Sequence, residues 1–179
     1  SFIFNNIYCK SSTNQMMNNY PIVNIYEKNS LKSKLSSQLI YGEKFQILNT
    51  KKGWLKIKTS YDKYIGFIKK KKFSKNIKIT HKVSSLNANL YSKPEEKFLL
   101  DTKLPFCSNI SVTEVNKKFY KFRNYWIKKK NVVPINYKQQ IFKDIKMFKN
   151  MPYKWGGKTF RGIDCSALVQ IFFKFNNLY

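Results

Sequence analysis

Acidic residues are scarce in this chain of 179 residues. It has 9 Asp and Glu against 35 Lys and Arg, which gives a formal net charge of +26. So few carboxylates, with no pairing at helical spacing, argue against a cation site built from Asp and Glu. The sequence shows no other metal-binding constellation, so we expect neither a metal nor a cofactor.

Arginine is nearly absent, since almost the whole positive excess is lysine. Proteins that read nucleic-acid sequence favour arginine for bidentate contacts to bases. The lysines are spread along the whole chain together with abundant Asn, Ile, Phe and Tyr, which is typical of biased codon usage. We therefore expect no nucleic-acid partner. Lysine-mediated nucleic-acid binding, which would show a steep salt dependence, is the third and last function considered.

Cysteine and long apolar runs are also scarce. Cys9, Cys107 and Cys165 cannot form a complete set of disulfides and lack the CxxC spacing of zinc ligands. No run is apolar enough to span a bilayer and no signal peptide is visible, although a chain beginning with Ser1 says little about export. We interpret Cys9 and Cys107 as ordinary small apolar residues.

Short alternating apolar runs fill most of the chain after a polar lead-in at residues 1–19. Strands are expected at residues 22–26, 38–41, 43–48, 54–59 and 63–68, and again at 88–91, 101–104, 110–115, 119–122, 124–128 and 132–134. Closely spaced short strands of this kind predict small barrels. The lysine run at residues 69–72 is interpreted as a solvated linker rather than a binding patch.

Helical periodicity begins only near residue 138. Apolar residues recur on one face of residues 138–150, which predicts an amphipathic helix ended by Asn150 and Pro152. A second helix is expected from Cys165 onward, and it is apolar nearly all round, which predicts burial on every side. Since no sheet in the sequence would cover it, we expect the chain to be a fragment of a longer protein.

Cys165 stands where this second helix begins. The unpaired N–H groups and the dipole of a helix N-terminus favour a thiolate, so the residue is a candidate nucleophile. Asp164 and Ser166 flank it, and either can cap the helix. The preceding pair Gly156-Gly157 allows a tight turn and a close backbone approach.

The runs YKWGG at residues 153–157 and GIDCSALVQ at residues 162–170 resemble the signature of NlpC-type papain-like cysteine peptidases. Ala167 departs from the glycine usual there. Upstream, Gly42-Glu43, Gly53-Trp54 and the run at residues 64–68 resemble a bacterial SH3 domain. The resemblance implies all-β SH3-like small barrels followed by the N-terminal part of an α+β papain-like cysteine peptidase domain. The expected divisions are 1–19 lead-in, 20–73 first barrel, 74–135 second barrel and 136–179 incomplete peptidase domain.

The resemblance also implies roles for single residues. Tyr153 is expected to support the thiolate or the oxyanion, the alternative being a half-buried aromatic residue. Asp164 and Ser166 are expected to bind the substrate's free α-amine or simply to cap the helix. Glu43 and Tyr64 are weaker candidates for the same amine, or else strand-edge residues.

Two further residues complete the site as the sequence describes it. Trp155 is expected to pack in the core beneath the glycine turn. His81 is the one histidine of the chain, and it precedes the cysteine, whereas the family carries its catalytic histidine downstream. We therefore interpret His81 as structural, with a permuted catalytic role as the less favoured alternative, and expect the base and its orienting residue to lie beyond Tyr179.

The function implied is a cysteine endopeptidase that hydrolyses peptidoglycan stem peptides after γ-D-glutamyl, such as L-Ala-γ-D-Glu-diamino acid peptides, through a thioester on Cys165. The fragment itself is expected to be inactive without the histidine. The alternative is a non-catalytic wall-binding protein that uses its barrels. The partner is peptidoglycan or a muropeptide in either case, and both a cytoplasmic and a cell-envelope location remain open.

Overall fold

The computed structural model describes residues 15–75 and 77–178. Most of these residues lie in short antiparallel strands, and the described part has one α-helix, close to its end. Cys9, which we interpreted as an ordinary small apolar residue, and most of the predicted lead-in lie outside the described residues. No helix of the described ranges is long and apolar enough to cross a bilayer.

The first barrel is a seven-stranded sheet with the strand order β3-β2-β6-β5-β4-β1-β7. Its strands are β1 Gln15–Met17, β2 Ile22–Tyr26, β3 Leu35–Ile40, β4 Lys44–Lys51, β5 Trp54–Thr59, β6 Ile65–Lys69 and β7 Ser74–Lys75. Alternate residues of these strands point into one apolar cluster that includes Ile25, Phe45 and Ile57. The period of two in the sequence therefore corresponds to one buried face.

Residues 15–17, predicted to belong to a lead-in with little structure, are instead part of the first barrel. They form β1, which pairs with β4 and β7, and Met17 is fully buried. The signal was weak because three residues are too few to show alternation, and their neighbours are Asn, Thr and Ser. The barrel therefore begins before residue 20 and extends past residue 73 through β7.

The second barrel is made of a five-stranded sheet ordered β10-β9-β14-β13-β12 and a three-stranded sheet ordered β11-β8-β15. Its strands are β8 His81–Val83, β9 Asn87–Tyr91, β10 Leu99–Pro105, β11 Asn109–Ile110, β12 Glu114–Val115, β13 Phe119–Phe122, β14 Tyr125–Lys128 and β15 Val132–Pro134, with 3₁₀ turns at Glu96–Phe98 and Lys129–Asn131. Both sheets contribute to one core, in which Val83, Leu104 and Ile127 are fully buried.

The amphipathic helix predicted over residues 138–150 is wrong. The segment consists of turns around a 3₁₀ helix, Ile145–Phe148, and its backbone bonds join each N–H to the carbonyl three residues earlier, as from Met147 to Asp144 and from Met151 to Phe148. Apolar residues recur there at positions 142, 145, 148 and 151, every three residues, which matches the 3.0 residues per turn of a 3₁₀ helix. Lysines at 143, 146 and 149 share the same spacing and repel one another along a longer helix.

The chain then forms a two-stranded hairpin of β16 Lys158–Thr159 and β17 Gly162–Ile163, which leads into α1 Cys165–Phe175. One face of α1 is buried in a cluster shared with the second barrel, where Phe106 lies 5.2 Å from Phe172 and 4.7 Å from Phe175 between ring centroids. The sequence predicted that α1 is buried on every side, but only this face is buried. Val169 is 48% exposed and Phe173 is 37% exposed.

Candidate active site

Cys165 is the first residue of α1 and its side chain is exposed. The hairpin delivers it there, because β17 ends at Ile163 and Asp164 adopts an extended conformation before the helix begins. The thiol of Cys165 therefore stands at the N-terminal end of the helix, next to the residue that caps it. The placement matches the one predicted from the sequence.

Asp164 is the N-cap of α1 and makes three hydrogen bonds with its carboxylate. Oδ1 accepts from the backbone N–H of Ala167 and from the hydroxyl of Ser166, both at 2.8 Å. Oδ2 accepts from the backbone N–H of Gly156 at 3.0 Å. The capping role expected for Asp164 is therefore present, and the same side chain ties the glycine turn to the start of the helix.

The glycine turn packs against the first barrel. Gly156 has a φ of +68°, and a Cβ there would lie 2.9 Å from the backbone carbon of Ser36. Two residues on, the N–H of Lys158 donates to Oε1 of Gln38 in β3 at 2.9 Å, in a buried position. The close backbone approach expected of the glycine pair is thus made to the protein's own β3, and it holds the hairpin before Cys165 on the barrel.

Tyr153 lies beside the cysteine along the backbone, because it forms a parallel bridge with Ile163, two residues before Cys165. Its side chain is 65% exposed. The predicted core position of Trp155 is wrong, since its side chain is 68% exposed. The backbone of β3 occupies the space beneath the turn.

Glu43 is neither a surface acid nor a strand-edge residue. Its carboxylate is 7% exposed, accepts from the backbone N–H of Ile40 at 2.8 Å, and is ion-paired with Lys174 of α1. Lys158 lies 3.8 Å away on the same oxygen. Burial opposes ionisation of Glu43, but the two lysines and the Ile40 N–H outweigh it, so the pKa of this carboxyl is lowered. Burial likewise opposes the charge on Lys174, and Glu43 reverses that effect, so its pKa is raised.

Tyr64 and His81 each contact residues of their own barrel. Tyr64 packs on the core of the first barrel, and its backbone N–H donates to the hydroxyl of Thr59 at 2.8 Å. The ring of His81 lies 4.7 Å from that of Tyr120, and burial lowers its pKa. Within the described residues the structure records no contact between His81 and Cys165, consistent with the structural interpretation of this histidine.

Three lysines that sequence reasoning missed hold these elements together. Lys158 and Lys174 meet Glu43, and Lys82 of the second barrel donates from Nζ to the carbonyls of Tyr137, at 2.7 Å, and of Phe175. Phe175 ends α1, where the helix dipole favours a cation. One signal was readable: Lys174 interrupts the apolar run of α1, where a charge requires a buried partner.

A cavity of about 330 Å³ lies where the first barrel, the second barrel and the end of α1 meet. Glu43, Lys174, Lys82 and Cys107 line it, and Cys165 does not. Burial raises the pKa of the Cys107 thiol, so this second cysteine stays protonated. No three His, Cys, Asp or Glu side chains of the described ranges are grouped so that they could hold a metal ion.

Comparison with models of known families finds two segments that match. Residues 25–73 match the bacterial dipeptidyl-peptidase SH3 domain, and residues 150–179 match the NlpC/P60 family. The resemblance that the sequence motifs indicated is confirmed for both segments, and the fold is mostly β-sheet with an SH3-like domain and the start of an NlpC/P60 fold.

Individual relatives agree with this assignment. A gamma-D-glutamyl-L-lysine dipeptidyl-peptidase of Bacillus cereus (strain ATCC 10987 / NRS 248) is 23% identical over 169 residues, which cover 79% of this chain and 50% of the relative. The chain thus spans about half the length of the curated relative that it matches. The crystal structure of an NlpC/P60 family protein from Bacillus cereus ATCC 10987 superposes with a TM-score of 0.77 at 15% identity, covering 90% of this chain and 72% of the other. This likeness establishes the fold.

Proposed function

We propose that this chain carries the nucleophile of a cysteine peptidase that hydrolyses peptidoglycan stem peptides after γ-D-glutamyl. One observation carries the proposal: Cys165 is exposed at the first position of α1, within the segment that matches the NlpC/P60 family. The name of the curated relative, a gamma-D-glutamyl-L-lysine dipeptidyl-peptidase, supports the same bond.

The reaction proposed begins at the sulfur of Cys165. A general base takes the thiol proton, and the thiolate attacks the γ-carbonyl carbon to form a C–S bond. The C–N bond breaks, the protonated base gives its proton to the departing amine, and water hydrolyses the thioester that remains. The structure records no hydrogen bond between the Cys165 thiol and a histidine among the described residues, and we propose that the base comes from a histidine outside them. The N–H of Cys165 and the hydroxyl of Tyr153 are the donors that we propose for the oxyanion.

Asp164 and Ser166 are proposed to contact the free α-amine of the substrate. The Asp164 carboxylate makes three hydrogen bonds, which leaves it acceptor capacity for an ammonium group. Glu43 and Tyr64 are left out of the proposed contacts. Two lysines already engage Glu43, and Tyr64 packs on the barrel core.

The test is hydrolysis of L-Ala-γ-D-Glu-L-Lys by the full-length gene product, followed by mass spectrometry. Cys165→Ala is expected to abolish turnover, and pretreatment with iodoacetamide is expected to do the same while modifying Cys165. Cys107→Ala is the matched control, because it removes a thiol that is buried in the core rather than exposed at the start of α1, and it should keep most of the activity.

Two outcomes would contradict the proposal. Turnover that survives in Cys165→Ala would remove the nucleophile assignment. A full-length protein that never cleaves the tripeptide, but that sediments with peptidoglycan, would instead establish the non-catalytic wall-binding function. The same sedimentation assay on the Cys165→Ala protein separates the two, because binding through the barrels does not need the thiol.

A further inference from the structure

The cavity at the junction of the two barrels and α1 is lined by the two buried lysines of the described chain. Lys82 is 1% exposed and Lys158 is 7% exposed, and both line it. The other described lysines are partly or fully exposed, as a high net charge predicts. Since lysine is almost never buried unless it is paired, two buried ammonium groups at one cavity are a property of this place in the fold and not of the composition.

The other charged groups that line the cavity have their charges balanced close by. The ammonium of Lys82 donates to two carbonyls, and one of them lies at the C-terminal end of α1, where the helix dipole offsets a positive charge. The ammonium of Lys174, whose side chain is 13% exposed, donates to Oε1 of Glu43. Lys44 and Asp62 are both partly exposed and bring opposite charges.

Lys158 is the charged group that remains without a close partner. Its Nζ lies 3.8 Å from Oε1 of Glu43, the oxygen that accepts the hydrogen bond from Lys174. Within residues 15–75 and 77–178, the hydrogen bond recorded for Lys158 is made by its backbone N–H and not by Nζ. Water in the cavity would accept from the ammonium but would not balance its charge. The cavity therefore presents one buried positive charge that lacks a close counter-charge.

We propose that this cavity binds a small organic monocarboxylate through the ammonium of Lys158. A single negative charge balances this ammonium, whereas a dianion such as hydrogen phosphate would bring a second buried charge without a partner. Part of the wall is apolar, with side chains of Leu39, Ile79 and Ile135, and it suits a short carbon chain. The volume of about 330 Å³ is also many times the roughly 10 to 15 Å³ that holds one water, so a single halide ion would leave most of it unfilled.

The inference does not rest on the proposed function, because neither Cys165 nor Tyr153 lines the cavity. Cys107 does line it, and this thiol is 1% exposed. A ligand that binds the closed junction stabilises it against opening, so it slows the reaction of a reagent with Cys107. Binding can therefore be followed at a thiol of the protein itself, without any measurement of peptidase activity.

Calorimetric titration of the full chain with isovalerate, a branched five-carbon monocarboxylate, tests the proposal. Isovaleramide has nearly the same shape without the charge, and we expect it to bind at least about tenfold more weakly, as a buried charge-assisted hydrogen bond is lost. Lys158→Met keeps an unbranched side chain but removes the charge, and it should lower the affinity for isovalerate by the same factor. Lys143→Met is the matched control, because it removes the same charge from an exposed position outside the cavity, and it should bind as tightly as the wild type.

The rate at which iodoacetamide modifies Cys107 gives a second measurement, made on the wild-type protein. Isovalerate at ten times its dissociation constant is expected to slow this reaction by about tenfold and to leave the reaction at the exposed Cys165 unchanged. This measurement and the comparison of acid with amide do not depend on whether Lys158→Met folds.

Four results would overturn the proposal. Equal affinity for isovalerate and isovaleramide would show that the carboxylate is not recognised, and tighter binding of chloride or inorganic phosphate would show that another anion is preferred. An affinity that is unchanged in folded Lys158→Met would remove the role of this ammonium. Absence of isovalerate binding, or a Cys107 rate that does not respond to it, would show that the cavity does not take this class of ligand.

Discussion

Asp164 shows how one residue serves both the helix and the turn around Cys165. Replacement by Ala removes the acceptor for Ala167 and for Gly156 together. Loss of a helix N-cap typically costs about 0.5 to 2 kcal/mol, so we expect Asp164→Ala to lower the free energy of unfolding by about 2 kcal/mol in urea denaturation. Asp164→Asn keeps an oxygen that can cap and should lose less than half of that amount. An equal loss in both variants would mean that the charge, and not the hydrogen bonds, stabilises the site.

Glu43 is the residue whose environment differs most from the one that its sequence context indicates. Its lowered pKa stabilises the folded state at a pH above the ordinary glutamate range. That contribution is lost as the pH falls from about 4.3, the value of an unfolded glutamate, through the lower folded value. Glu43→Gln leaves two buried lysines unpaired, so we expect a loss of about 2 to 4 kcal/mol at pH 7, at the lower end of buried pairs because a cavity adjoins them.

Urea denaturation of Glu43→Gln and wild type between pH 7 and pH 3 checks both parts of this expectation. The difference between them should be full at pH 7 and shrink below pH 4. Glu114→Gln is the matched control, because it removes a salt bridge whose carboxylate is 55% exposed, and it should change stability by less than about 1 kcal/mol. A difference for Glu43→Gln that is constant over this pH range would contradict the ionised pair.

At the scale of elements, most strands were predictable and the segment before the hairpin was not. The run predicted at residues 110–115 is divided between β11 and β12 of two sheets, and β8 was not predicted. The predicted runs 22–26, 54–59, 119–122 and 132–134 coincide with strands of the structure, because alternation with one buried face leaves a period that is read locally. Residues 138–150 were misread, because apolar spacings of three and four residues overlap in a short window. Only the backbone bonds separate a 3₁₀ helix from an α-helix there.

The glycine turn joins the cysteine segment to the first barrel. Comparing two glycines of similar φ allows the cost of adding a Cβ where the turn packs on β3 to be measured. Gly156 and Gly53 have φ values of +68° and +76°, but a Cβ at Gly53 meets nothing within 4 Å, whereas at Gly156 it meets the backbone of β3. Gly53→Ala should lose about 1 to 2 kcal/mol through its φ alone. Gly156→Ala should lose about 1 to 3 kcal/mol more through overpacking, as measured by urea denaturation. Equal losses would show that the turn does not pack on β3 in solution.

At the scale of the whole molecule, the sequence predicted the order of the parts but not how they meet. The position of Cys165 at a helix start followed from local motifs. The environment of Glu43 did not, since Lys158 and Lys174 are more than a hundred residues away along the chain and their ion pairs exist only after the barrels and α1 have packed. Long-range polar contacts of this kind have no local period, so pattern reading does not find them.

The junction of the two barrels and α1 can be followed through its cysteine. Cys107 is 1% exposed in the cluster that contains Phe106 and Phe172, and Cys165 is exposed on the surface. Iodoacetamide should therefore modify Cys165 at least about a hundredfold faster than Cys107, the factor that corresponds to an opening free energy of roughly 3 kcal/mol. Peptide mapping by mass spectrometry separates the two sites.

If the two barrels and α1 separate as one unit, then weakening the ion pair between Glu43 and Lys174 must expose the thiol of Cys107 more often. Glu43→Gln is expected to accelerate modification of Cys107 by at least about tenfold, because each 1.4 kcal/mol taken from the opening free energy raises the open population tenfold. Modification of Cys165 should keep its wild-type rate, since that thiol needs no opening. Glu114→Gln, in the five-stranded sheet of the second barrel, should change neither rate. If Glu43→Gln accelerates modification of Cys107 but does not change the global free energy of unfolding, the opening is local to the junction. An unchanged rate of modification at Cys107 would show that the ion pair does not hold the three parts together.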